Sequence, residues 1–403
     1  MVTRFITLVV LFFSVMTGVS AQGDTQDEDA EYRIVAYYTS WSIYGRQYFV
    51  TDVPADKLTH INYAFFNINQ DGECVLGDPW ADIQFPYPDE PADAPFQGNL
   101  LQLQLLRDAN PNLQTLLSVG GWTWSSRFSD VALTEDSRQH FAQSCIALMT
   151  EYGFDGMDID WEYPVSGGLN DGRPEDTENF TLLLAEFRRQ LDELGAADGY
   201  YHPLTIAASA GEHTYSHTQL DQIHQYLDWI NVMAYDFAGG WSETTNHQAR
   251  LYASGNDPNA ETSATADAAI QAYLAAGIPA NKIMLGVPFN GRGWEKAPAE
   301  QNGLYQPFRY LPVGTWESGF FDYKDLVENY LETYTRYWDD EAKAAWLYNA
   351  DEEIMISYED PQTLQAKAGY VRELGLGGIM FWELSADTED NALLTAIVDG
   401  LNE

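Results

Sequence analysis

Eight short apolar runs, rich in β-branched and aromatic residues, recur along the chain, and this rhythm restricts the fold more than any other property. The runs cover residues 33–39, 58–68, 114–119, 154–161, 204–209, 229–235, 283–289 and 378–384. Helical patterns lie between most of them, at 100–108, 137–152, 177–194, 220–226 and 264–276. Apolar strands that alternate with helices indicate a parallel sheet covered by helices. Eight such strands predict an α/β fold, the closed (β/α)8 TIM barrel.

Two connections are too long for simple barrel loops. Residues 69–99 are rich in Asp, Pro and Gly and predict an elaborated loop beside the carboxyl ends of the strands. Residues 293–357 separate the seventh and eighth strands and include a helix-like piece at 323–333, which predicts a small α+β insertion. We therefore expect a barrel at 32–292 and 358–403, ending in a helix at 388–401, and an inserted domain at 293–357.

The N-terminus resembles a signal for export. Arg4 precedes an apolar run at 5–15, and small residues at 19–21 offer a cleavage site, which predicts a signal peptide at 1–21. The apolar run is too short to predict a membrane span. Residues 22–31 are polar and acidic and predict a disordered leader. The sequence therefore predicts a secreted, extracellular and soluble protein.

The composition is strongly acidic, with 61 Asp and Glu against 20 Lys and Arg and a formal net charge of -41. Such a charge argues against nucleic acids and anionic membranes as partners and is compatible with a neutral substrate. The two cysteines, Cys74 and Cys145, are too few for a disulfide scaffold, and whether they pair is left open. Nothing in the sequence demands an oligomer, and a monomer is expected.

Residues 154–164 read FDGMDIDWEYP and place three acids two residues apart. On a β-strand, Asp158, Asp160 and Glu162 share one face, and the bulky apolar residues between them share the other. Repulsion among the three carboxyls keeps some of them protonated at neutral pH, as general acid–base catalysis requires. The alternative is an edge strand with a solvated acidic face, which the apolar opposite face disfavours.

Large aromatic and charged residues stand at the carboxyl ends of the predicted strands, where a (β/α)8 barrel has its active site. These residues are Trp41, Trp122, Glu162, Tyr235, Asp236, Arg292, Trp382 and Glu383. Aromatic surfaces suit the apolar C–H faces of sugar rings, although burial in a core is their commoner use. The distribution is typical of a barrel enzyme.

Several segments together resemble the family-18 glycoside hydrolases, the chitinases. DGMDIDWE at 155–162 is similar to the family signature. SVGGW at 118–122, MAYD at 233–236 and MFW at 380–382 are similar to its third-, sixth- and eighth-strand motifs, and GDPWAD at 77–82 and WTWS at 122–125 to bacterial-type chitinases. Their order and spacing match across residues 33–400. The resemblance implies that 293–357 is the chitinase insertion domain, which deepens one wall of the cleft.

The resemblance also implies a mechanism without a metal or other cofactor. In this retaining, substrate-assisted reaction the N-acetyl oxygen of the sugar attacks its own anomeric carbon and forms an oxazolinium ion. Glu162 would protonate the leaving oxygen and then activate water. Asp160 would hold the acetamido N–H and stabilise the positive intermediate, and Asp158 would share a proton with Asp160. Tyr235 would donate its hydroxyl to the acetamido carbonyl.

A set of substrate-binding positions follows from the same resemblance. Trp382 would form the floor under the distorted sugar, and Trp122 and Trp241 would stack on sugars on the leaving side. Tyr37 and Ser118 would hydrogen-bond the inner aspartate. The full set is Tyr37, Phe65, Ser118, Gly121, Trp122, Met233, Asp236, Trp241, Arg292 and Trp382.

Several of these residues have plainer alternatives. Trp382 and Tyr37 could be core aromatics, and Arg292 could be an ordinary salt-bridge partner. Asp155 lies off the Asp158 parity and is expected to brace the junction between strand and loop rather than to act in catalysis. Asn290 stands where the family often has Tyr, which leaves the contact at that position open.

Three functions remain in competition. The first is an endo-acting chitinase that cleaves β-1,4-N-acetylglucosamine linkages of chitin or chito-oligosaccharides. The second is a chitin-binding lectin without catalysis, which the presence of Glu162 disfavours. The third is an endo-β-N-acetylglucosaminidase acting on N-glycans, which the predicted insertion and the many tryptophans disfavour. His213 and His217 have metal-like spacing, but the sequence has no His-Glu-x-x-His pattern, the region is expected to be a loop that leads into a helix, and a ligand role is not predicted.

Overall fold

A computed structural model of the chain describes residues 32–403 apart from Asp89, Ala92 and Asp171. The predicted signal peptide at 1–21 and acidic leader at 22–31 lie outside the described residues. Within the described range, none of the helices combines the length and the apolar character needed to cross a membrane.

Eight parallel strands close into a barrel, in the order β1-β2-β4-β5-β6-β7-β8-β14, because β1 pairs with both β2 and β14. The predicted (β/α)8 TIM barrel is therefore confirmed. The strands of the chain are β1 (Arg33–Thr39), β2 (His60–Ile68), β3 (Cys74–Val75), β4 (Gln114–Gly120), β5 (Gly156–Asp160), β6 (Leu204–Ser209), β7 (Trp229–Met233), β8 (Ile283–Pro288), β9 (Asn290–Glu295), β10 (Phe320–Asp322), β11 (Thr335–Asp339), β12 (Ala344–Asn349), β13 (Ile354–Tyr358) and β14 (Gly378–Trp382).

Helices cover the outside of the barrel, and their apolar faces pack on the strands in one large core. The final helix begins at Ala392 rather than at the predicted residue 388, because the Asp387 carboxylate accepts the N–H groups of Leu393 and Leu394. The helices are α1 (Pro79–Ile83), α2 (Gly98–Ala109), α3 (Gly121–Trp124), α4 (Phe128–Val131), α5 (Glu135–Glu151), α6 (Asp176–Asp198), α7 (Glu212–Tyr215), α8 (Leu220–Ile223), α9 (Ala266–Ala275), α10 (Tyr323–Asn329), α11 (Pro361–Leu374) and α12 (Ala392–Asn402).

Strand β5, which carries the acidic run, pairs with β4 on one side and β6 on the other. The alternative of an edge strand is therefore wrong. Trp161 points outward and stacks on Phe128 with ring centroids 5.3 Å apart, as the alternation of side chains predicts. A side chain at Gly120 would meet the Asp160 carbonyl, so glycine lets the ends of β4 and β5 approach each other.

A second sheet of five antiparallel strands, ordered β10-β9-β13-β12-β11, lies between β8 and β14 in the chain together with α10. The predicted α+β insertion between the seventh and eighth barrel strands is thus present. Its first strand, β9, starts at Asn290, and Phe289 alone separates it from the end of β8 at Pro288. The division of the chain at 293 and 357 stays a prediction, since the sheet itself extends from 290 to 358.

Cys74 and Cys145 are both buried and both free thiols. Cys74 lies in β3, and its backbone N–H donates to the Ser144 hydroxyl of helix α5 at 2.8 Å. The question of pairing that the sequence left open is thus answered for this structure, in which both side chains act as small apolar core residues.

Candidate active site

The inner aspartate, Asp158, is fully buried inside the barrel and accepts hydrogen bonds from four strands. Its Oδ2 accepts the hydroxyls of Tyr37 at 2.8 Å and Ser118 at 2.7 Å. Its Oδ1 accepts the Thr205 hydroxyl at 2.6 Å and the Asn231 amide at 3.4 Å. Burial raises the pKa of Asp158, and the hydrogen bonds from these donors oppose that rise.

Asp160 points the same way, two residues further along β5, but its surroundings differ. It is 3 % exposed, and its Oδ1 is buried without a hydrogen-bond partner among the described residues. Burial and then the charges of Glu162 and Asp158 raise its pKa well above the ordinary value. Asp160 is therefore the carboxyl of the pair that retains a proton most readily.

Glu162 lies two residues beyond the end of β5, at the open end of the barrel. Its backbone N–H donates to the Ser125 hydroxyl at 2.8 Å, which ties the residue to the loop after β4. Burial and the charge of Asp236 raise the pKa of Glu162 to about 7, against a lowering contribution from the Tyr163 hydroxyl. A carboxyl that exchanges its proton near neutral pH suits a general acid and base.

Tyr235 follows β7 and faces the acidic run. Burial, followed by the charges of Asp160 and Glu162, raises its pKa well above the ordinary value, so the hydroxyl remains a donor. Met233, the last residue of β7, is only partly buried and lies next to the inner aromatic cluster. The end of β7 therefore brings a hydroxyl and an apolar side chain to the same opening.

Arg292 and Asp236 form a bidentate ion pair, with distances of 2.9 Å and 2.8 Å. The guanidinium also lies over the Trp241 ring, 5.3 Å from its centroid. Arg292 therefore makes the salt bridge that the sequence offered as an alternative, and its part in substrate binding stays a prediction. The pair connects the insertion strand β9 to the end of β7, so Asp236 is held beside Glu162.

Aromatic side chains line the barrel around the aspartates. Trp382 stacks on Phe65 with centroids 5.8 Å apart and contacts Tyr37 at 5.5 Å and Trp41 at 6.3 Å. Trp382 is only partly buried, so it also presents surface to the opening, whereas Tyr37 is 1 % exposed and belongs to the core. A side chain at Gly121 would meet the Phe65 ring, which explains glycine there.

Two tryptophans project from the rim of the barrel. Trp122 is 47 % exposed and Trp241 is 63 % exposed. Their exposed faces present apolar surface at the rim, on which a sugar ring can stack. They are available as stacking surfaces on the two loops that follow β4 and β7.

Asp155 lies at the opposite end of the barrel, before β5. Its Oδ2 accepts the Thr115 backbone N–H at 2.7 Å, and Arg107 lies 3.4 Å from its Oδ1. Asp155 therefore braces the base of the sheet, as predicted from its position three residues before Asp158, which places it on the other face of the strand. His213 and His217 have ring centroids 5.8 Å apart, and the described residues contain no group of three His, Cys, Asp or Glu placed to hold a metal ion.

Sequence reasoning missed Thr205, Asn231 and Ser125, which contact the acidic run from β6, β7 and the loop after β4. Thr205 is paired in register with Asp158, and Ser118 holds the equivalent register position on the other side. The alternation of side chains along each strand predicts which residues face the barrel interior. The register between strands that are far apart in the chain decides which of these residues lie beside Asp158, and it is not visible in the sequence.

The arrangement can carry proton-transfer chemistry on a ligand that rests on Trp382. Three carboxyls with raised pKa values follow one another, two on β5 and one just beyond its end, and a tyrosine hydroxyl faces them. A proton donor, an ionised partner and an aromatic floor at one barrel opening are typical of a glycosidase.

Comparisons with known proteins agree with this geometry. Chitinase A1 of Niallia circulans is 44% identical, with 95% of this chain aligned, and the chain spans 60% of that relative's length. Chitinase ChiA74 from Bacillus thuringiensis superposes with a TM-score of 0.88 at 41% identity, covering 92% of this chain and 70% of that one. A family 18 N-acetylglucosaminidase from Paenibacillus barengoltzii superposes with a TM-score of 0.77 at 34% identity, covering 92% and 100%. The model of the glycosyl hydrolases family 18 matches residues 33–387. The chain therefore belongs to glycosyl hydrolase family 18.

Proposed function

We propose that this protein is a chitinase that hydrolyses the β-1,4-N-acetylglucosamine linkages of chitin by the retaining, substrate-assisted mechanism. The observation that carries the proposal is the contrast among the three carboxyls on β5 and just beyond its end. Asp158 is hydrogen-bonded from four strands, Asp160 lacks a partner on one oxygen, and Glu162 has a pKa of about 7. The names of the relatives, among them an endochitinase of Metarhizium robertsii that is 41% identical, support the substrate.

Glu162 is the general acid and base of the proposed reaction. Its proton passes to the glycosidic oxygen as the bond to the anomeric carbon breaks, and the ionised carboxylate then takes a proton from the water that opens the oxazolinium ring. A pKa near neutrality serves both steps, because the group must first give a proton and then accept one.

The nucleophile is the acetamido oxygen of the sugar itself. The Tyr235 hydroxyl, kept protonated by its surroundings, donates to that oxygen and aligns it for attack on the anomeric carbon. Asp160 accepts the acetamido N–H and stabilises the positive charge that develops on the ring. Trp382 supports the sugar from below, and its contact with Phe65 fixes its plane.

Substrate binding extends from this point along the rim. Trp122 and Trp241 offer apolar faces for sugars on the leaving side. Met233 and the pair of Asp236 and Arg292 line the same subsite, and Asp236 receives its orientation from both nitrogens of the guanidinium. We further propose that the protein is exported, that it acts as a monomer, and that neither nucleic acid nor a membrane is a partner.

The dependence of activity on pH should have its alkaline limb near pH 7. Glu162 must be protonated to act as an acid, and burial raises its pKa to about 7, so the active form persists well above the ordinary carboxyl range. Above that value, kcat/KM should fall about tenfold per pH unit. A profile of kcat/KM against pH on a fluorogenic chitobioside measures this. An alkaline limb near pH 4.5 would exclude Glu162 as the acid.

Substrate choice separates the proposed function from its alternatives. We expect the protein to release soluble sugars from colloidal chitin, with the β-anomer formed first, and to leave both a high-mannose glycoprotein and a β-1,4-glucan intact, because the glucan lacks the acetamido nucleophile. Binding to chitin without release would support the lectin instead. Cleavage of the glycoprotein alone would support the N-glycan enzyme, and hydrolysis of the glucan would exclude the mechanism.

A second candidate within the family is an N-acetylglucosaminidase, the name that the Paenibacillus barengoltzii neighbour carries, which would remove sugars from a chain end. Product sizes from a long chito-oligosaccharide distinguish the two. Internal cleavage yields a mixture of intermediate lengths from the first minutes, whereas removal of single sugars from an end yields monosaccharide and a chain that is one residue shorter. We propose endo action, because exposed tryptophans lie on the rim beyond the floor at Trp382.

A further inference from the structure

Asp158 accepts hydrogen bonds from four side chains, two at each carboxylate oxygen. The hydroxyls of Tyr37 and Ser118 occupy its Oδ2, and Thr205 and Asn231 occupy its Oδ1. Both Thr205 and Asn231 are fully buried, and neither is in a position to touch a substrate at the barrel opening. Their contact with the reaction is therefore through Asp158.

The side-chain amide of Asn231 has a fixed orientation. The Trp229 indole N–H donates to the Asn231 Oδ1 at 3.1 Å, and an indole is only ever a donor. The oxygen of the amide must therefore face Trp229, which leaves the NH2 group facing Asp158. Trp229 is itself held, because its ring packs against His60 at 4.6 Å and lies under the Arg33 guanidinium at 5.1 Å.

Four donors match the ionised form of Asp158 and not its protonated form. A carboxylate accepts at both oxygens, whereas a carboxylic acid would turn its own O–H against a donor. The three hydroxyls could rotate to accept that proton, but the Asn231 NH2 group is a donor in either case. Asp160 has no comparable set, and its Oδ1 lacks a partner among the described residues.

We propose that Thr205 and Asn231 are positioning residues that keep Asp158 ionised, so that the Asp158–Asp160 pair carries one negative charge throughout the working pH range. The proposal rests on the function proposed above, in which that charge faces the positive oxazolinium ion. The titratable groups around Asp158 are Tyr37 on β1, Asp160 and Glu162 on and after β5, and Tyr235 after β7. None of these groups is a cation that could stabilise ionised Asp158 if Thr205 or Asn231 were replaced.

Thr205→Val tests the proposal, because valine keeps the shape of threonine and removes the hydroxyl. A hydrogen bond to an ionised group lowers its pKa, so its loss raises the pH at which Asp158 takes up a proton. The acidic limb of kcat/KM against pH on the fluorogenic chitobioside should move upward by about one pH unit. Thr205→Ser, which restores the hydroxyl, should return the limb to its original position.

Three further variants complete the test. Asn231→Ala should move the acidic limb in the same direction, and so should Trp229→Phe, which releases the amide to turn. Thr39→Val is the matched control, since Thr39 is a buried threonine on a barrel strand whose hydroxyl has no partner among the described residues. It should leave the acidic limb where it is in the unmodified protein.

The outcomes divide cleanly. An unchanged acidic limb in folded Thr205→Val, or an equal shift in Thr205→Ser, would overturn the proposal, because the effect would then not depend on the hydroxyl. If Thr205→Val does not fold by circular dichroism, Asn231→Ala and Trp229→Phe decide the matter by the same criterion. An unmodified protein without activity on the chitobioside would count against the proposed function instead.

Discussion

Glu162→Gln is expected to lower kcat on chito-oligosaccharides by about 10²–10⁴-fold, the range that a general acid contributes. Glutamine keeps the size and the hydrogen bonds of the side chain but has no proton of suitable acidity to give to the leaving oxygen. Binding should persist, because Trp382 and the rim tryptophans are untouched. Single-turnover kinetics and calorimetric titration with a chito-oligosaccharide measure the two effects separately.

Glu243→Gln is the matched control for the loss of a negative charge near the cleft. Glu243 is an exposed carboxyl two residues after Trp241, and the proposed reaction gives it no part. Its substitution should change kcat by less than about twofold, since surface substitutions away from functional groups have small effects. Substantial turnover by Glu162→Gln would remove Glu162 from the role of proton donor.

Asp160→Asn should reduce kcat by about 10²–10³-fold, comparable with the loss of one preorganised group that faces developing charge. Asparagine has no carboxyl proton to exchange with Asp158, so the negative charge of the pair cannot shift onto the residue that faces the oxazolinium ion. It also cannot hold the proton that burial and the neighbouring carboxyls keep on Asp160. The measurement is kcat at several pH values, because no pH should restore activity if the charge itself is needed.

Asp155→Asn makes the same chemical change at the other end of the barrel. Asp155 accepts the Thr115 N–H at 2.7 Å, so its substitution should lower the free energy of unfolding by roughly 1 kcal/mol. Its kcat should stay near that of the unmodified protein at temperatures where both are folded. Equal losses of kcat in Asp155→Asn and Asp160→Asn would mean that Asp160 acts through stability and not through its charge.

The sequence alone predicted much of the barrel, because its strands are buried on both faces and thus apolar along their whole length. β1 and β6 were predicted at the residues where the structure has them. The run at 154–161 was predicted longer than β5, which ends at Asp160, because Trp161 is apolar and buried although the strand pairing has ended. An apolar residue reports burial and not hydrogen bonding, so strand ends are the weakest part of such a prediction.

The candidate site was predictable wherever its residues sit close together in the chain. Asp158 and Asp160 lie on β5 and Glu162 lies two residues beyond its end, and the alternation of side chains alone predicts that they share one face. The contact of Arg292 with Asp236 could be suggested but not chosen over other ion pairs, because 56 residues separate them. Thr205 and Asn231 look like ordinary polar strand residues in the sequence.

What the sequence by itself determined is therefore the periodic part of this protein: eight apolar strands, the intervening helices, and three carboxyls on a common face. Tertiary structure alone decided which of those carboxyls has hydrogen-bond donors on both of its oxygens. Asp158 receives donors from β1, β4, β6 and β7, whereas Asp160 has an oxygen with no described partner. The physical reason is that a carboxyl's proton affinity depends on burial and on the donors within about 3 Å, and barrel closure brings those donors from strands far apart in the chain.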